Sequence, residues 1–198
     1  MRQKLTLLLF LLCLTGFSTT FAQTDFSLEQ WNHDRISFNQ NAMYVLGGWA
    51  LTNIAVGAVG WNQTGGATRY FHQMNLAWNT VNLGIASFAL YNLSQGDASS
   101  YSLIESLKEG QTLEKVLLFN AGLDFGYMAF GAYLHQRGIN KSSSRLKGYG
   151  TSLILQGGFL LVFDGIFFAM TQDLNAPLLE HIEHLSVTAN GLSLNVRF

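Results

Sequence analysis

Four stretches of this 198-residue chain, at about 42–61, 70–93, 116–135 and 149–171, approach the ~20 apolar residues that cross a bilayer as a helix. Each is rich in Gly, Ala or Phe, and none contains Pro. In lipid every backbone N–H and C=O must be satisfied internally, which selects helices over open strands. Composition agrees: charged residues are 12% of the chain and hydrophobic residues 48%, where soluble domains carry about 25% charged. That balance excludes a disordered chain and argues against a water-soluble enzyme. A net charge of −1 gives no basic footprint for nucleic acid. The expected fold is all-α, a four-transmembrane-helix bundle following a cleaved signal peptide, with short outside helices and a small C-terminal β-hairpin.

The signal peptide is read at 1–22. Arg2 and Lys4 precede the apolar run Leu5–Leu14, and Thr20-Phe21-Ala22 places small residues at −3 and −1 of a cut before Gln23. The alternative is an uncleaved anchor, which leaves the later topology unchanged. Cys13 is the only cysteine and lacks the small residues before it that a lipoprotein cleavage site requires. Without it, residues 23–198 form one membrane domain with no disulfide and no thiol chemistry.

A secreted amino terminus makes 62–69 and 136–148 the inside loops. They hold Arg69, Arg137, Lys141, Arg145 and Lys147 and no acid. The longer outside segments hold Arg35, Lys108, Lys115 and Arg197 with ten acids. This agrees with the positive-inside rule and predicts an inner-membrane protein with both mature termini outside. The lipid bilayer is the expected partner, with a homo-oligomer or a further membrane partner open and no nucleic acid.

Outside the membrane, Leu28, Trp31 and Phe38 suit an amphipathic segment lying on the interface. Ser102 and Glu105 have capping-box spacing for a short helix near 103–109. Pro177 suits the first turn of a further helix through Leu185. Asn190-Gly191 between Val187 and Leu192–Val196 reads as a type I′ hairpin. The terminal Phe198 resembles the end of an outer-membrane barrel strand, but a barrel needs many alternating strands and this chain offers at most two.

Polar residues inside the spans are the main functional lead. His72, Asn75, Asn79 and Asn82 step by three, four and three residues and so share one helix face. Asn53 lies mid-depth in the first span, Asn120 and Asp124 are an i, i+4 pair in the third, and Gln156 and Asp164 lie in the fourth. Asp124 and Asp164 fall at similar depth, roughly 10–12 Å from one edge at 1.5 Å per residue. If their carboxyls meet, a proton or a cation must lie between them. The candidate ion or proton site is therefore Asp124, Asp164, Asn53, Asn79 and Asn82, with His72, Asn75, Asn120 and Gln156 as a polar stripe. The bland alternative is a hydrogen-bonded network that fixes helix register.

Gly122 and Gly126 have GxxxG spacing, and Gly157-Gly158 offers a second point of close helix approach. Neither lies in a phosphate-loop context. His181 and His184 with Glu180, joined by His33 and Asp34, give a weak surface metal set without a fixed third ligand. Axial haem ligation by His72 and His135 stays open, but both lie near the inner ends of spans and not at opposed mid-membrane positions, and no catalytic triad or HExxH motif occurs. No cofactor is expected. Asn62-Gln63-Thr64 and Asn92-Leu93-Ser94 match glycosylation sequons by pattern only. A duplicated helical pair has too few matching residues to support it.

The run Arg69-Tyr70-Phe71-His72-Gln73-Met74-Asn75, continued by Trp78, Asn79 and Asn82, resembles a family of uncharacterised bacterial membrane proteins. Gly47-Gly48-Trp49-Ala50 with Asn53, and Gln156-Gly157 with Phe163-Asp164, are similar to the same family's pattern. The resemblance implies a multi-helix integral membrane protein and brings no activity, substrate or cofactor. Three functions stay open: a structural or accessory membrane protein, a small proton- or cation-coupled transport component using Asp124 and Asp164, and a metal-binding or redox accessory.

Overall fold

The computed structural model describes residues 26–189, with side chains through residue 183. It contains four helices: α1 (Leu28–Gln63), α2 (Gly66–Ser94), α3 (Leu103–Asn140) and α4 (Ser144–Ala189). There is no strand among the described residues. The leader expected at 1–22 and the turn expected at Asn190-Gly191 lie outside them, and Val187, expected to flank a hairpin, is helical.

Local chemistry fixes the helix ends. Ser27 Oγ accepts from the Gln30 amide at the start of α1. The α1–α2 turn closes at Thr64-Gly65, with Gly66 at φ +58°, a conformation that costs glycine little. The α3–α4 turn is a Schellman motif: the Ser142 amide donates to the Ile139 carbonyl and the Ser143 amide to that of Gly138. Its left-handed position holds Ser142 (φ 51°), where glycine is the usual choice. The longer α2–α3 connection carries a 3₁₀ turn (Ala98–Ser100) capped by Asp97. The Ser102–Glu105 capping box forms as expected, but it opens a 38-residue helix and not a short one.

The spans read from the sequence all lie inside longer helices. α1 and α4 hold stretches long and apolar enough to cross a membrane, with mean hydropathy 1.5 and 2.0. α2 and α3 do not meet that measure, because buried Asn75, Asn79, Asn82 and Asp124 interrupt their apolar character. Trp31 does not lie on an interface: it is 5% exposed inside the bundle, and α1 runs through it unbroken. Nor does Pro177 start a helix, for it sits within α4. It lacks the N–H that would bond the carbonyl four residues back.

α1 and α2 form one antiparallel hairpin and α3 and α4 the other. α2 packs against α4 to join them, and α1 also meets α4. Both tight turns lie at one end, termed the hairpin end. The α2–α3 connection, the start of α1 and the end of α4 lie at the other, the crossover end. There Trp31 Nε1 donates to the Leu174 carbonyl at 2.7 Å, and Ser106 Oγ donates to Asn32 Oδ1 at 3.0 Å. Arg35, counted from the sequence among the outside charges, is buried. Its guanidinium lies 4.9 Å from the Tyr101 ring centre and 3.7 Å from Glu109 Oε2. Ala42, Leu117 and Phe167 form an apolar layer beneath this cluster.

The α3–α4 contact has a seven-residue period. Gly110, Leu117, Asp124, Gly131 and Gly138 are buried on α3, and Gly150, Gly157, Asp164, Thr171 and Leu178 on α4. Such a repeat keeps one seam facing the partner helix. At Gly131 and Gly150 the two backbones touch. A Cβ on Gly131 would lie 2.8 Å from the Gly150 carbonyl oxygen, and one on Gly150 would lie 2.5 Å from that of Gly131. Gly157 packs likewise against Asp124 O and Met128. The expected GxxxG contact is not the one used: Gly122, Gly126 and Gly158 have nothing within 4 Å. Four-residue spacing puts Gly122 and Gly126 on another side of α3 from the heptad seam.

The surface is strongly apolar. Phe88, Phe119 and Phe125 are 67–69% exposed, while Asn75, Asn79 and Gln156 are at most 1% exposed.

Gly150→Ala is expected to destabilise the fold by about 1–3 kcal/mol, because the methyl must displace backbone. Gly122→Ala meets only open space and is expected to stabilise by about 0.5–1 kcal/mol. Thermal unfolding of the two variants checks the ordering. A second expectation concerns pH. The Ser99 hydroxyl and amide hold the Asp97 carboxyl below its ordinary range, and the Ser102 amide and hydroxyl do the same for Glu105. Depressed folded values mean that the caps are complete above the unfolded pKa of about 4 and are lost as pH falls through the folded values. Hydrogen-exchange protection at the Ser99 and Glu105 amides is expected to drop on acidification below about pH 4, and at Glu105 to be pH-independent in Glu105→Gln.

Candidate functional site

Buried polar side chains gather in the middle of the bundle at two adjacent levels. The first is a relay across three helices. Trp49 Nε1 on α1 donates to Gln156 Oε1 on α4 at 3.1 Å, and Gln156 Nε2 donates to Asn75 Oδ1 on α2. Asn75 Nδ2 then donates to Asn53 Oδ1 at 3.0 Å and to the Asn53 carbonyl at 3.1 Å. Asn79 Nδ2 returns to the Asn75 carbonyl at 2.8 Å, and Asn53 Nδ2 to that of Trp49 at 2.9 Å. The Trp49 ring stacks on Phe159 at 3.8 Å with the two planes nearly parallel, which fixes the direction of its N–H. With Gln156 fully buried and both ends of its amide used, this group is closed around α1, α2 and α4.

The second level is the acid pair. Asp124 on α3 and Asp164 on α4 are 3% and 6% exposed, and their carboxyls lie within hydrogen-bonding reach of each other. Aspartate is short, so two of them meet across a helix pair only where the backbones are close. Gly157, one heptad before Asp164, supplies that closeness, since a Cβ there would stand 2.8 Å from the Asp124 carbonyl oxygen. Asp124 Oδ2 is buried and finds no donor among the described residues. Two acceptors face each other, and neither can satisfy the other unless a proton or a cation is shared.

The structure thus divides the residues expected to form one site. Asp124 and Asp164 come together. Asn53 and Asn79 belong to the Asn75–Gln156 relay. Asn82 is buried, and its Nδ2 is without an acceptor among the described residues. α2 and α4 run parallel, and Asn82 and Asp164 lie seven and eight residues beyond the Asn75–Gln156 contact. At 1.5 Å per residue they reach nearly the same height. His72 is at the hairpin end, in the notch left by Gly60, with Nδ1 buried and unpartnered. Asn120 is half-buried on α3. His135 Nδ1 is 3.0 Å from Thr151 Oγ1.

The described members of the weak metal set have other neighbours. His181 stacks on Phe26 at 4.4 Å, His33 lies beside Asp34 at 3.6 Å, and no group of three His, Cys, Asp or Glu ligands occurs among the described residues. The side chain of His184 lies outside them. What the sequence reading missed is Trp49 as a hydrogen-bond donor, the Arg35 cluster, and the pairing of Glu114 with Asn175. Trp49 stands four residues before Asn53, the helical spacing that places them on one face, and that signal was available.

Over residues 45–165 the sequence matches the family of unknown function DUF6992. The chain belongs to this family. The match covers more than half of the chain and includes the relay and both aspartates. No curated protein and no solved structure matches. Membership of DUF6992 agrees with the resemblance seen in the Arg69–Asn82 run and supplies no activity.

Gln156→Leu is expected to cost about 2 kcal/mol, because it leaves the buried Trp49 N–H without its acceptor and leaves Asn75 Oδ1 with only the longer bond from Asn79 Nδ2. Thermal unfolding reads the loss. A red shift or broadening of the Trp49 fluorescence contribution, isolated by comparison with Trp49→Phe, locates it.

Proposed function

We propose that this DUF6992 protein is an integral membrane protein whose bundle binds a proton or a small cation between Asp124 and Asp164, and that it works as a small proton- or cation-coupled transport component. The membrane part of the reading is supported by the inverted distribution of side chains. Large apolar residues cover the outside and amides and carboxyls fill the inside, an arrangement that water disfavours and lipid favours. It is supported too by the two span-length apolar helices, whose most apolar stretches are only 28% buried in the bundle, and by basic residues without acids in the two segments 62–69 and 136–148 at the hairpin end. On this reading the hairpin end faces the cytoplasm of a bacterial cell.

The observation that carries the function is the meeting of two buried carboxyls, one oxygen of which, Asp124 Oδ2, has no donor among the described residues. Two ionised carboxylates at contact in a low-dielectric bundle repel strongly. A single bound proton or cation relieves that repulsion, and its arrival or departure changes how tightly α3 and α4 hold together. That gives the pair a means of coupling ion occupancy to helix packing. Intramembrane carboxyls are rare and commonly mark ion or proton paths.

A second reading, a structural or accessory membrane protein, is favoured by the relay of Trp49, Gln156, Asn75 and Asn53. Its members are mutually satisfied, as in a packing device. Flux into liposomes decides between the two. With purified protein and an imposed pH or sodium gradient, the wild type is expected to carry pH-dependent ion flux. Asp124→Asn and Asp164→Asn are each expected to reduce it at least tenfold while leaving the helical spectrum intact. Equal flux in all three proteins would remove the transport reading and leave the structural one.

A further inference from the structure

The acid pair has no cationic side chain to neutralise it. On α1 no Asp, Glu, Lys, Arg or His follows Arg35, and on α2 none follows His72. Along α3 the next charge-bearing side chains from Asp124 are Lys115 and His135, and along α4 those from Asp164 are Lys147 and Asp173. Lys115 and Asp173, the nearer of these along their helices, stand nine residues away, roughly 13 Å at 1.5 Å per residue. The pair is therefore neutralised by something that comes from outside the chain.

The surroundings suit a proton and not a metal ion. A hard cation takes about six oxygen ligands or more. Two carboxylates and, with its amide turned over, Asn82 fall short of that. Ion sites inside membranes commonly draw further oxygens from the carbonyls of broken helices, but α3 and α4 run unbroken through Asp124 and Asp164. Asn79 Oδ1 is unpartnered among the described residues, yet its amide is held a turn away by the bond from Nδ2 to the Asn75 carbonyl at 2.8 Å. Water does not complete a shell either, because Asp124 Oδ2 is shut off from solvent and the backbones close together at Gly157 beside it. The polar atoms left over near this level of α2 are N–H donors, Asn82 Nδ2 and Trp78 Nε1, both buried without an acceptor among the described residues. Trp78 reaches toward α3, where its ring meets that of Tyr127 edge-on at 4.7 Å, one turn from Asp124. Donors of this kind favour an ionised carboxylate and cannot ligate a metal. The two carboxyls already lie within hydrogen-bonding reach, the separation that a single O–H···O⁻ bond spans.

We infer that the occupant of the pair is a proton, bonded to one carboxyl and donated to the other across Asp124 and Asp164, and that the site excludes sodium and other metal ions. One carboxyl is then neutral and the other carries the remaining charge. Occupancy of the pair is taken from the function proposed above, whereas transport through it is not required.

The test is infrared spectroscopy of the purified full chain near neutral pH. A protonated-carboxyl C=O band is expected in the wild type, shifted when aspartate is labelled with ¹³C at its carboxyl carbon and lost in the double variant Asp124→Asn/Asp164→Asn. The other described aspartates, Asp34, Asp97 and Asp173, are exposed and ionised at that pH, so the labelled wild type assigns the band alone if the double variant does not fold. In parallel, thermal unfolding is followed in sodium, lithium or calcium chloride against choline chloride at equal ionic strength. A metal ion bound to the folded chain raises Tm by mass action, and no such rise is expected. Absence of the band, or a saturable metal-dependent rise in Tm that Asp164→Asn abolishes, would overturn the proton. The band without ion flux removes transport and leaves the proton in place. Sodium-driven flux without the band does the reverse, so the two failures are read separately.

Discussion

The backbone contact between Gly131 and Gly150 sets the geometry on which the rest depends. It brings α3 and α4 closer than side chains normally allow, and the seven-residue repeat carries that closeness along the seam to Gly157. Short side chains, Asp124, Asp164 and Thr171, take three further positions of the seam, and Leu117 and Leu178 fill it where it opens toward the crossover end. The Schellman turn at Ser142 and Ser143 reverses the chain so that the two glycines face each other within a short distance of the turn. The acid pair is therefore a consequence of the hairpin's packing and not of a loop or an added element.

Four helices were legible in the sequence because their apolar stretches are long and uninterrupted by Pro. Their true lengths were not. Hydropathy reports only the apolar part of a helix, whereas the first turns of α1 are held by the Ser27 cap, by Trp31 on Leu174 and by Asn32 on Ser106. The last two contacts join residues more than seventy apart in the chain, where local pattern carries no information. Pro177 misled for a related reason: a missing N–H weakens one turn, but Asn175 and Leu178 on either side of it are buried against the bundle and hold the helix together. For the glycines, the familiar four-residue spacing at Gly122 and Gly126 drew attention away from the seven-residue spacing of Gly131 with Gly138 and of Gly150 with Gly157. The second pattern was present in the sequence and names the seam directly.

The polar residues were legible as a set and not as partners. Equal depth was enough to bring Asp124 and Asp164 together on paper, because antiparallel neighbours joined by a short turn leave little freedom in register. Asn53 is different. Its depth alone did not separate the acid pair from Asn75, and the choice depends on how α1 is rotated against α2. That rotation is fixed by His72 entering the notch at Gly60 and by the close approach of α2 to Gly57, contacts that no spacing rule expresses.

The two levels of polar side chains give the acid pair unequal surroundings. Toward the crossover end the next layer is Ala42, Leu117 and Phe167, with Phe38, Phe163 and Leu113 packed against it. These side chains form no hydrogen bonds, and the nearest polar group on α1 is the buried Asn39 Oδ1. Toward the hairpin end, Asn82, Asn79, Asn75 and Gln156 follow at successive turns of α2 and α4, and Asn82 Nδ2 and Asn79 Oδ1 have bonding capacity left over. A charge leaving the pair toward Leu117 and Phe167 would meet mainly apolar side chains, whereas one leaving toward Asn82 and Asn79 would exchange carboxyl oxygens for amides. If the pair exchanges its proton or cation with one side of a membrane more readily than with the other, the side chains around it favour the hairpin end. The apolar layer then serves as the barrier.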